Sequence, residues 1–481
     1  MLLGLSGGAA ALLCAALLTP SLSSTASDAP SGPDGSRVQL ARLIPPDDAV
    51  AQGVPFPLSG RVSTVRVRRA VELQRKVRPG EWRPVGTTTT DRRGRFTFES
   101  VQLFTSSRLR GRLPANAGLP ESTTRSLFIR VRAQRGTLTR MPAVSQQGPT
   151  PQSPRNDTVV SARFDPALPG RPVLLERRDA SGQWVRHATQ IEDAAGFAVF
   201  NVPPAATYRA TAQSYNGAGP VRTNTASAVT RSVIFEDTFD GPTLDPRWQD
   251  FILGRGFPGS GRTCALTHPS AHSVGGGVLH LGIGYDPTMA GQECVYTTPE
   301  GSKSSPYLYQ SQLATYPRFR FTYGLAAARI KFARAPGRHS AFWLQVGGTV
   351  AGDPTTGTEI DAVEFFGDDG SKFDRIGAFL HYYATDGSIV THGGLMPGAP
   401  NLKPPGDTWW DSFHVFSVAW TPTEYVFRVD GREFYRETRA ISRTPQWVTL
   451  SAISSDYELE KVTPQNIDEE TEVDWVRVWS L

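Results

Sequence analysis

Cysteine is nearly absent, with three in 481 residues. No Cys-x-x-Cys pair occurs and no histidine cluster accompanies the three, which argues against a metal-binding cysteine framework. No stretch of about 18 apolar residues follows the short N-terminal one, so no membrane span is expected. Amphipathic helical periodicity of useful length is almost missing as well. Acidic residues are scarce in the front half. Residues 37–231 hold 30 Lys+Arg against 13 Asp+Glu, a net of +17, whereas residues 232–481 hold 20 against 30, a net of −10. The overall charge of +5 hides this division. The front half suits adhesion to an anionic polymer, such as an acidic wall polysaccharide. Nucleic acid is not expected as a partner, because no aromatic–basic motif occurs and the chain begins like an exported one.

Met1 to Ala26 is small and apolar, and Ser24-Thr25-Ala26 offers a small-x-small cleavage site. Residues 1–26 therefore read as a secretory signal, and the protein as secreted. Residues 27–36, mostly Ser, Pro, Gly and Asp, read as a flexible leader. Cys14 lies within the signal. Cys264 and Cys294 remain, and two cysteines in an exported chain are most simply a disulfide.

Two segments then repeat at one offset. Ser59, Gly60, Arg61 and Val62 return as Ser161, Ala162, Arg163 and Phe164. Val71, Leu73, Arg75 and Trp82 return as Val173, Leu175, Arg177 and Trp184, and Asp91, Gly94 and Phe98 as Asp193, Gly196 and Phe200. A fixed spacing of this kind marks an internal duplication. Short alternating strands with turn signals predict two β-sandwiches, at 37–145 and 156–231, joined by a proline-rich linker at 146–155. The pattern resembles the immunoglobulin-like modules attached to many secreted bacterial enzymes. The single Trp of each copy is expected in its core. Cutting the chain after 231 is expected to leave a working C-terminal domain.

Residues 232–481 read as long alternating strands without helix, which predicts a large sandwich of two stacked sheets. Within it, Glu359-Ile360-Asp361-Ala362-Val363-Glu364 sets three carboxylates among apolar residues, followed by Phe365, Phe366 and Gly367. Alternation puts Glu359 and Asp361 on one face. A one-residue bulge at Ala362-Val363 would return Glu364 to that face. The bland alternative is a solvated acidic edge strand, against which the flanking Ile, Val and Phe-Phe argue. Paired carboxylates across a scissile bond are what glycoside hydrolysis requires.

Residues 234–481 resemble glycoside hydrolase family 16, the laminarinases, lichenases, agarases and their relatives. The resemblance rests on ordered landmarks: Phe235-Glu236-Asp237-Thr238-Phe239-Asp240-Gly241, Tyr323-Gly324 through Ala328-Arg329-Ile330-Lys331-Phe332, and Ala341-Phe342-Trp343-Leu344. The carboxylate stretch follows, then Phe413-His414, Trp420-Thr421-Pro422, Val429-Asp430-Gly431 and Asp474-Trp475-Val476-Arg477-Val478. It implies an all-β fold, a concanavalin-type β-jelly-roll, with Glu359 as nucleophile, Glu364 as general acid/base and Asp361 between them. It also implies a Cys264–Cys294 disulfide and a structural calcium held by Asp474 with backbone oxygens near Thr238 and Gly277. No cofactor is implied for catalysis. Polysaccharide grooves pair aromatic platforms with polar side chains, and Trp343, Trp409, Trp410, Tyr383 and His381 are the candidates here. His414 is expected to be structural. The Trp-Pro-x-x-Gly lead-in of many laminarinases is replaced by Pro354 to Thr358.

The reading is a secreted, monomeric, retaining endo-glycosidase acting on a β-1,3- or mixed β-1,3-1,4-glucan. The alternatives are a galactan-type hydrolase or transglycosylase on the same fold, and a non-catalytic wall-polysaccharide-binding protein.

Overall fold

The computed structural model describes residues 41–481, except 45, 47, 48, 64–67, 117, 118, 228–230, 252, 257–260, 371–375 and 397. The signal, the leader and Cys14 lie outside the described residues. The described chain is built of strands joined by turns, with a few short 3-10 turns. Among the described residues no helix is long and apolar enough to cross a membrane.

The duplication persists in the pairing. In the first copy Phe56–Val62 pairs with Arg95–Val101, and Ala70–Arg78 lies between Glu81–Thr89 and Ser107–Leu113. In the second, Thr158–Asp165 pairs with Phe197–Val202, and Pro172–Arg178 lies between Trp184–Ile191 and Tyr208–Ala212. Each copy buries its own apolar cluster, around Leu73 and Phe98 in one and Leu175 and Phe200 in the other. Neither Trp82 nor Trp184 belongs to these clusters. Arg110 stacks on Trp82 and Arg209 on Trp184, each 4.3 Å from the ring centre, so both rings lie on outward faces.

The boundary between the copies also moves. Arg135–Pro142 pairs along its whole length with Thr158–Asp165 of the second copy. Residues 146–155 are therefore a connection within the second sandwich, not a linker between the two. That connection crosses the C-terminal domain, where Gly148 and Phe413 exchange backbone hydrogen bonds of 3.3 and 2.8 Å.

The C-terminal domain stacks two antiparallel-dominated sheets. One runs His272–Gly275, Val278–Leu281, Thr471–Trp479, Gly324–Lys331, His414–Trp420, Tyr425–Val429, Arg432–Glu437, with Val233–Asp237 also on Thr471–Trp479. The other runs Gln249–Asp250, Leu308–Ala314, Trp447–Ile453, His339–Gln345, Glu359–Phe365, Ile376–Tyr383, Ile389–Leu395. Alternate residues of both sheets meet in one core, including Phe342, Leu344, Ile360, Phe416, Val476 and Val478. This is the expected all-β sandwich.

A further apolar cluster joins this domain to the second copy. Met141, Val144 and Val159 pack with Leu325, Val415, Trp475 and Trp479, all buried. The Asp430-Gly431 turn sits against it: Gly431 has φ +77, and a Cβ there would stand 2.9 Å from Val159. Arg432 pairs with Asp193 at 2.7 Å across the same boundary.

Candidate active site

The carboxylate strand, Glu359–Phe365, owes its shape to one extra residue. Against His339–Gln345, Phe342 pairs with Val363 and Trp343 with Asp361, so Ala362 has no partner. The register also breaks between Asp361 and Glu364 against Ile376–Tyr383. Ile360, Ala362, Val363 and Phe365 all face the core. Glu359, Asp361 and Glu364 are left on the opposite face, because the bulge restores the phase that alternation would lose.

Neighbouring strands place more groups on that face. Trp343 opposes Asp361, Ala341 opposes Glu364, His381 opposes Glu359 and Phe379 opposes Asp361. Although it points away from the core, Asp361 is only 3% exposed and Trp343 only 8%. The face is therefore a recessed floor. Trp343 donates from Nε1 to Ser451 Oγ at 3.2 Å, which fixes its ring. His381 sets Nε2 3.3 Å from Asp361 Oδ2, and its Nδ1 lies 2.9 Å from Thr391 Oγ1. One ligand-type atom each from Glu359, Asp361 and His381 lies within 4.8 Å of the others.

Burial dominates the electrostatics. It pushes Glu359 and Glu364 up to about 7 and Asp361 to about 8, with the Asp361 charge adding to the rise at both glutamates. His381 and Arg262 pull Glu359 down in part, and His339 and His381 do so for Glu364. Like charges this close titrate as a group, with at least one proton retained near neutrality. A carboxyl whose folded pKa is raised stabilises the fold at low pH and loses that contribution as pH rises through the raised value. Asp361→Asn removes this cost. Its melting temperature is expected to exceed the wild type's by about 5 °C at pH 8.5, for a few kcal/mol in a domain of this size. The gap should shrink toward zero at pH 4. A variant less stable than wild type at pH 8.5 contradicts the assignment.

The floor is closed at one end by two segments that the sequence reading missed. Asp456 accepts from Thr263 N at 2.6 Å and from its hydroxyl at 2.8 Å. Glu458 lies 2.6 Å from His339 Nδ1 and accepts from Ser455 N at 2.9 Å. Between these anchors Tyr457 is 52% exposed as a residue, yet burial of its hydroxyl raises that group's pKa, and the Glu458 and Glu364 charges add to the rise. Alternation gave one available clue, since His339, Ala341 and Trp343 must share a face. Nothing local in Asp456-Tyr457-Glu458 announces its position. Cys264 and Cys294 are bonded, as expected, and tie this end together beside Leu308 and Leu459.

Tyr383, two residues beyond His381, shares its face, and burial with the nearby Glu359 raises its hydroxyl's pKa. Two expected platforms are elsewhere. Trp409 is fully buried in the core against His414 and Phe416, at 4.9 and 5.8 Å between ring centres. Trp410 packs toward Phe365, a core-facing residue, under the Arg334 guanidinium. The Pro-Gly-Asp loop folds inward, so neither ring reaches the carboxylates. His414 is structural: Nδ1 lies 2.7 Å from Asp430, which also accepts from Val415 N.

Asp474, the one carboxylate expected to hold calcium, does not fit that ion. Asp474 sits opposite Arg329, with Oδ2 2.5 Å from Nη1, and both its oxygens accept from Gln152 N at 3.3 and 3.2 Å. Arg329 is fully buried and also donates to the carbonyls of Gln146, Thr150 and Gly148 at 2.8, 3.0 and 3.1 Å. A guanidinium already fills the cation's place, whereas calcium needs six or more oxygens.

Residues 285–477 match the family model "Glycosyl hydrolases family 16". That span contains the whole carboxylate strand. Among curated proteins, Gram-negative bacteria-binding protein 3 of Drosophila melanogaster is 29% identical over 116 residues, 24% of this chain. The match spans only 23% of that relative's length. Among solved structures, the catalytic domain of an endo-1,3-beta-glucanase (laminarinase) from Thermotoga petrophila is 18% identical, with a TM-score of 0.39 over 52% of this chain and 98% of that one. The endo-beta-1,3-glucanase from Pyrococcus furiosus is 22% identical, with a TM-score of 0.39 over 52% and 94%.

Proposed function

We propose that residues 232–481 are a retaining endo-β-glucanase domain that cleaves a β-1,3- or mixed β-1,3-1,4-glucan. The observation that carries the reading is the bulge at Ala362, which gathers three carboxyls of raised proton affinity on one recessed face. The family match gives the hydrolase class, and the glucan follows the resemblance drawn from the sequence.

In this reading Glu364 gives its proton to the glycosidic oxygen while Glu359 attacks the anomeric carbon. The aglycone leaves as an alcohol and a glycosyl ester forms on Glu359. Glu364, now a carboxylate, takes a proton from water as that water attacks the anomeric carbon of the ester. Glu359 departs as a carboxylate and the cycle closes. Asp361, held against His381, shares a proton with Glu359 as its charge disappears and returns. Trp343 offers its ring face to a sugar. Retention asks for carboxyl groups about 5–5.5 Å apart, a separation that two glutamates on one face of a bulged strand would meet by leaning toward one another.

A binding-only role draws on the insect relative's name. Against it stands the intact acidic group, since a pure binder gains nothing from sinking three repelling carboxyls. The protein is further read as secreted and monomeric, its front sandwiches being immunoglobulin-like accessory modules. The test is reducing-sugar release from laminarin, barley glucan, agarose and xyloglucan. Laminarin or barley glucan should be cleaved at least about tenfold faster than the other two, a gap of about 1.4 kcal/mol in barrier. Preference for agarose or xyloglucan, or no release from any, would overturn the substrate reading.

A further inference from the structure

The two front copies share a fold and differ on one face. In the first copy Ser107–Leu113 alternates buried Ser107, Leu109, Gly111 and Leu113 with outward Arg108, Arg110 and Arg112. Register places Gln74 opposite Arg110 and Glu72 opposite Arg112. In the second copy Glu176 stands opposite Arg209 and Leu174 opposite Thr211. The arginine row 108, 110, 112 thus reads Thr207, Arg209, Thr211 in the duplicate, and Gln74 reads Glu176.

Charge follows the exchange. Glu176 takes both Nε and Nη2 of Arg209, at 2.8 and 3.0 Å, so the second copy's arginine is neutralised within the sheet. In the first copy Arg110 donates to the uncharged amide of Gln74 at 2.8 Å. Among the described residues neither Arg108 nor Arg110 has a carboxylate within salt-bridge distance. Arg112 does, pairing with Glu121 at 2.7 Å and Glu72 at 3.4 Å. Lys76 is exposed on the same side, opposite Trp82. Residues 41–132 carry 18 Lys+Arg against 7 Asp+Glu, a net of +11, whereas residues 133–231 carry 11 against 6, a net of +5.

Aromatic rings accompany the bare cations. Arg110 lies over Trp82, and Arg108 lies 5.6 Å from the Phe128 ring centre. Phe128 is 50% exposed. The duplicate answers this corner with a hydroxyl pair, Thr207 and Ser227, 3.5 Å apart. The copies have divided their tasks, for the second is committed to the C-terminal domain through Met141, Val159 and Val199.

We propose that this outward face of the first sandwich, Lys76, Arg108 and Arg110 with Trp82 and Phe128, binds a carboxylated polysaccharide. The duplicate shows the charge such a ligand would supply: Glu176 neutralises Arg209 from within the sheet, whereas Gln74 holds the same place beside Arg110 without charge. A uronate of the polymer would supply it to the outward donors of Arg110 and Arg108. Planar guanidinium groups match carboxylates two bonds at a time. Rings beside them cover the apolar faces of sugars. The choice of a polysaccharide over a nucleic acid rests on the glycosidase reading of the C-terminal domain; the surface itself does not.

Affinity electrophoresis of the full chain tests this at about 0.15 M salt, where distant surface charges are screened. Gels contain alginate, dextran sulfate, single-stranded DNA or laminarin. Alginate should retard the protein more than dextran sulfate or DNA at equal charge concentration. Retardation should weaken at least about tenfold in Arg108→Gln/Arg110→Gln, the order expected when two charge-assisted contacts are lost. Gln74→Glu/Glu72→Leu, which reproduces Glu176 and Leu174 of the second copy and avoids setting a new carboxylate against Glu72, should weaken it comparably by supplying an internal partner. Hydrolysis of laminarin should be unchanged in both variants. No retardation by alginate, tighter retention on dextran sulfate or DNA, or unaltered binding in both variants would overturn the proposal. An active enzyme that ignores alginate counts against this face alone. Alginate binding by an enzyme inactive on every glucan counts against the substrate reading alone.

Discussion

Glu359→Gln should lower kcat on laminarin by at least about 1,000-fold, and Glu364→Gln by about 100- to 10,000-fold, while both variants fold. The larger loss belongs to Glu359, because an amide cannot form the glycosyl ester at all. Loss at Glu364 removes only proton transfer, whose usual contribution is the range quoted. The two should also differ in pattern. An aryl glycoside with a good leaving group needs little protonation, so it should recover much of its rate in Glu364→Gln and none in Glu359→Gln. Folding is safeguarded by the same electrostatics that shape the site: burial already holds these carboxyls toward their neutral forms, so a neutral amide relieves a cost. Circular dichroism and melting curves supply the control. Near-wild-type activity on laminarin in either variant would remove that residue from the chemistry.

Separating residues 232–481 from the second sandwich should yield an insoluble or strongly destabilised product. A shortened chain beginning at residue 133 should stay soluble and active. The cut at 231 uncovers Leu325, Val415, Trp475 and Trp479, which Met141, Val144 and Val159 bury in the intact chain. It also removes the three carbonyls that accept from Arg329 and the backbone N–H that donates to Asp474. Uncovered tryptophans of this kind are an aggregation site. A milder probe is Arg329→Met, which leaves Asp474 buried without its cation. Removing one partner of a buried pair costs about 3–5 kcal/mol. In a domain of this size that corresponds to a fall in melting temperature of about 10 °C or more. A soluble, fully active 232–481 fragment with an unchanged melting temperature would show that the shared cluster contributes nothing.

What could be read from the chain divides along physical lines. The bulge was legible because three carboxylates and four apolar residues cannot all be accommodated by strict alternation; one extra residue at Ala362 is the least change that satisfies both. The disulfide was legible from scarcity. Trp409 was misjudged because its neighbours Pro404, Pro405 and Gly406 have loop composition, and composition does not say whether a loop turns outward or folds back upon Phe416. The proline-rich stretch 148–154 misled in the same way. Prolines mark where strands stop, and only pairing reveals that Arg135–Pro142 and Thr158–Asp165 belong together on either side of it. Asp474 was read as a metal ligand by resemblance. Arg329 lies 145 residues away in sequence, and only the adjacency of their strands shows that an internal cation has taken that role. Tyr457, Asp456 and His339 were invisible as a group because no spacing rule connects a loop to a strand more than 100 residues earlier.

In the proposed mechanism Glu359 and Glu364 act from opposite sides of one bond, and product stereochemistry examines that directly. Proton NMR of laminarin hydrolysis, followed from the first minutes before mutarotation, should show the β-anomer of the new reducing end appearing first and the α-anomer growing in later. Initial release of the α-anomer would mean single displacement by water and would contradict the assignment of Glu359 as nucleophile.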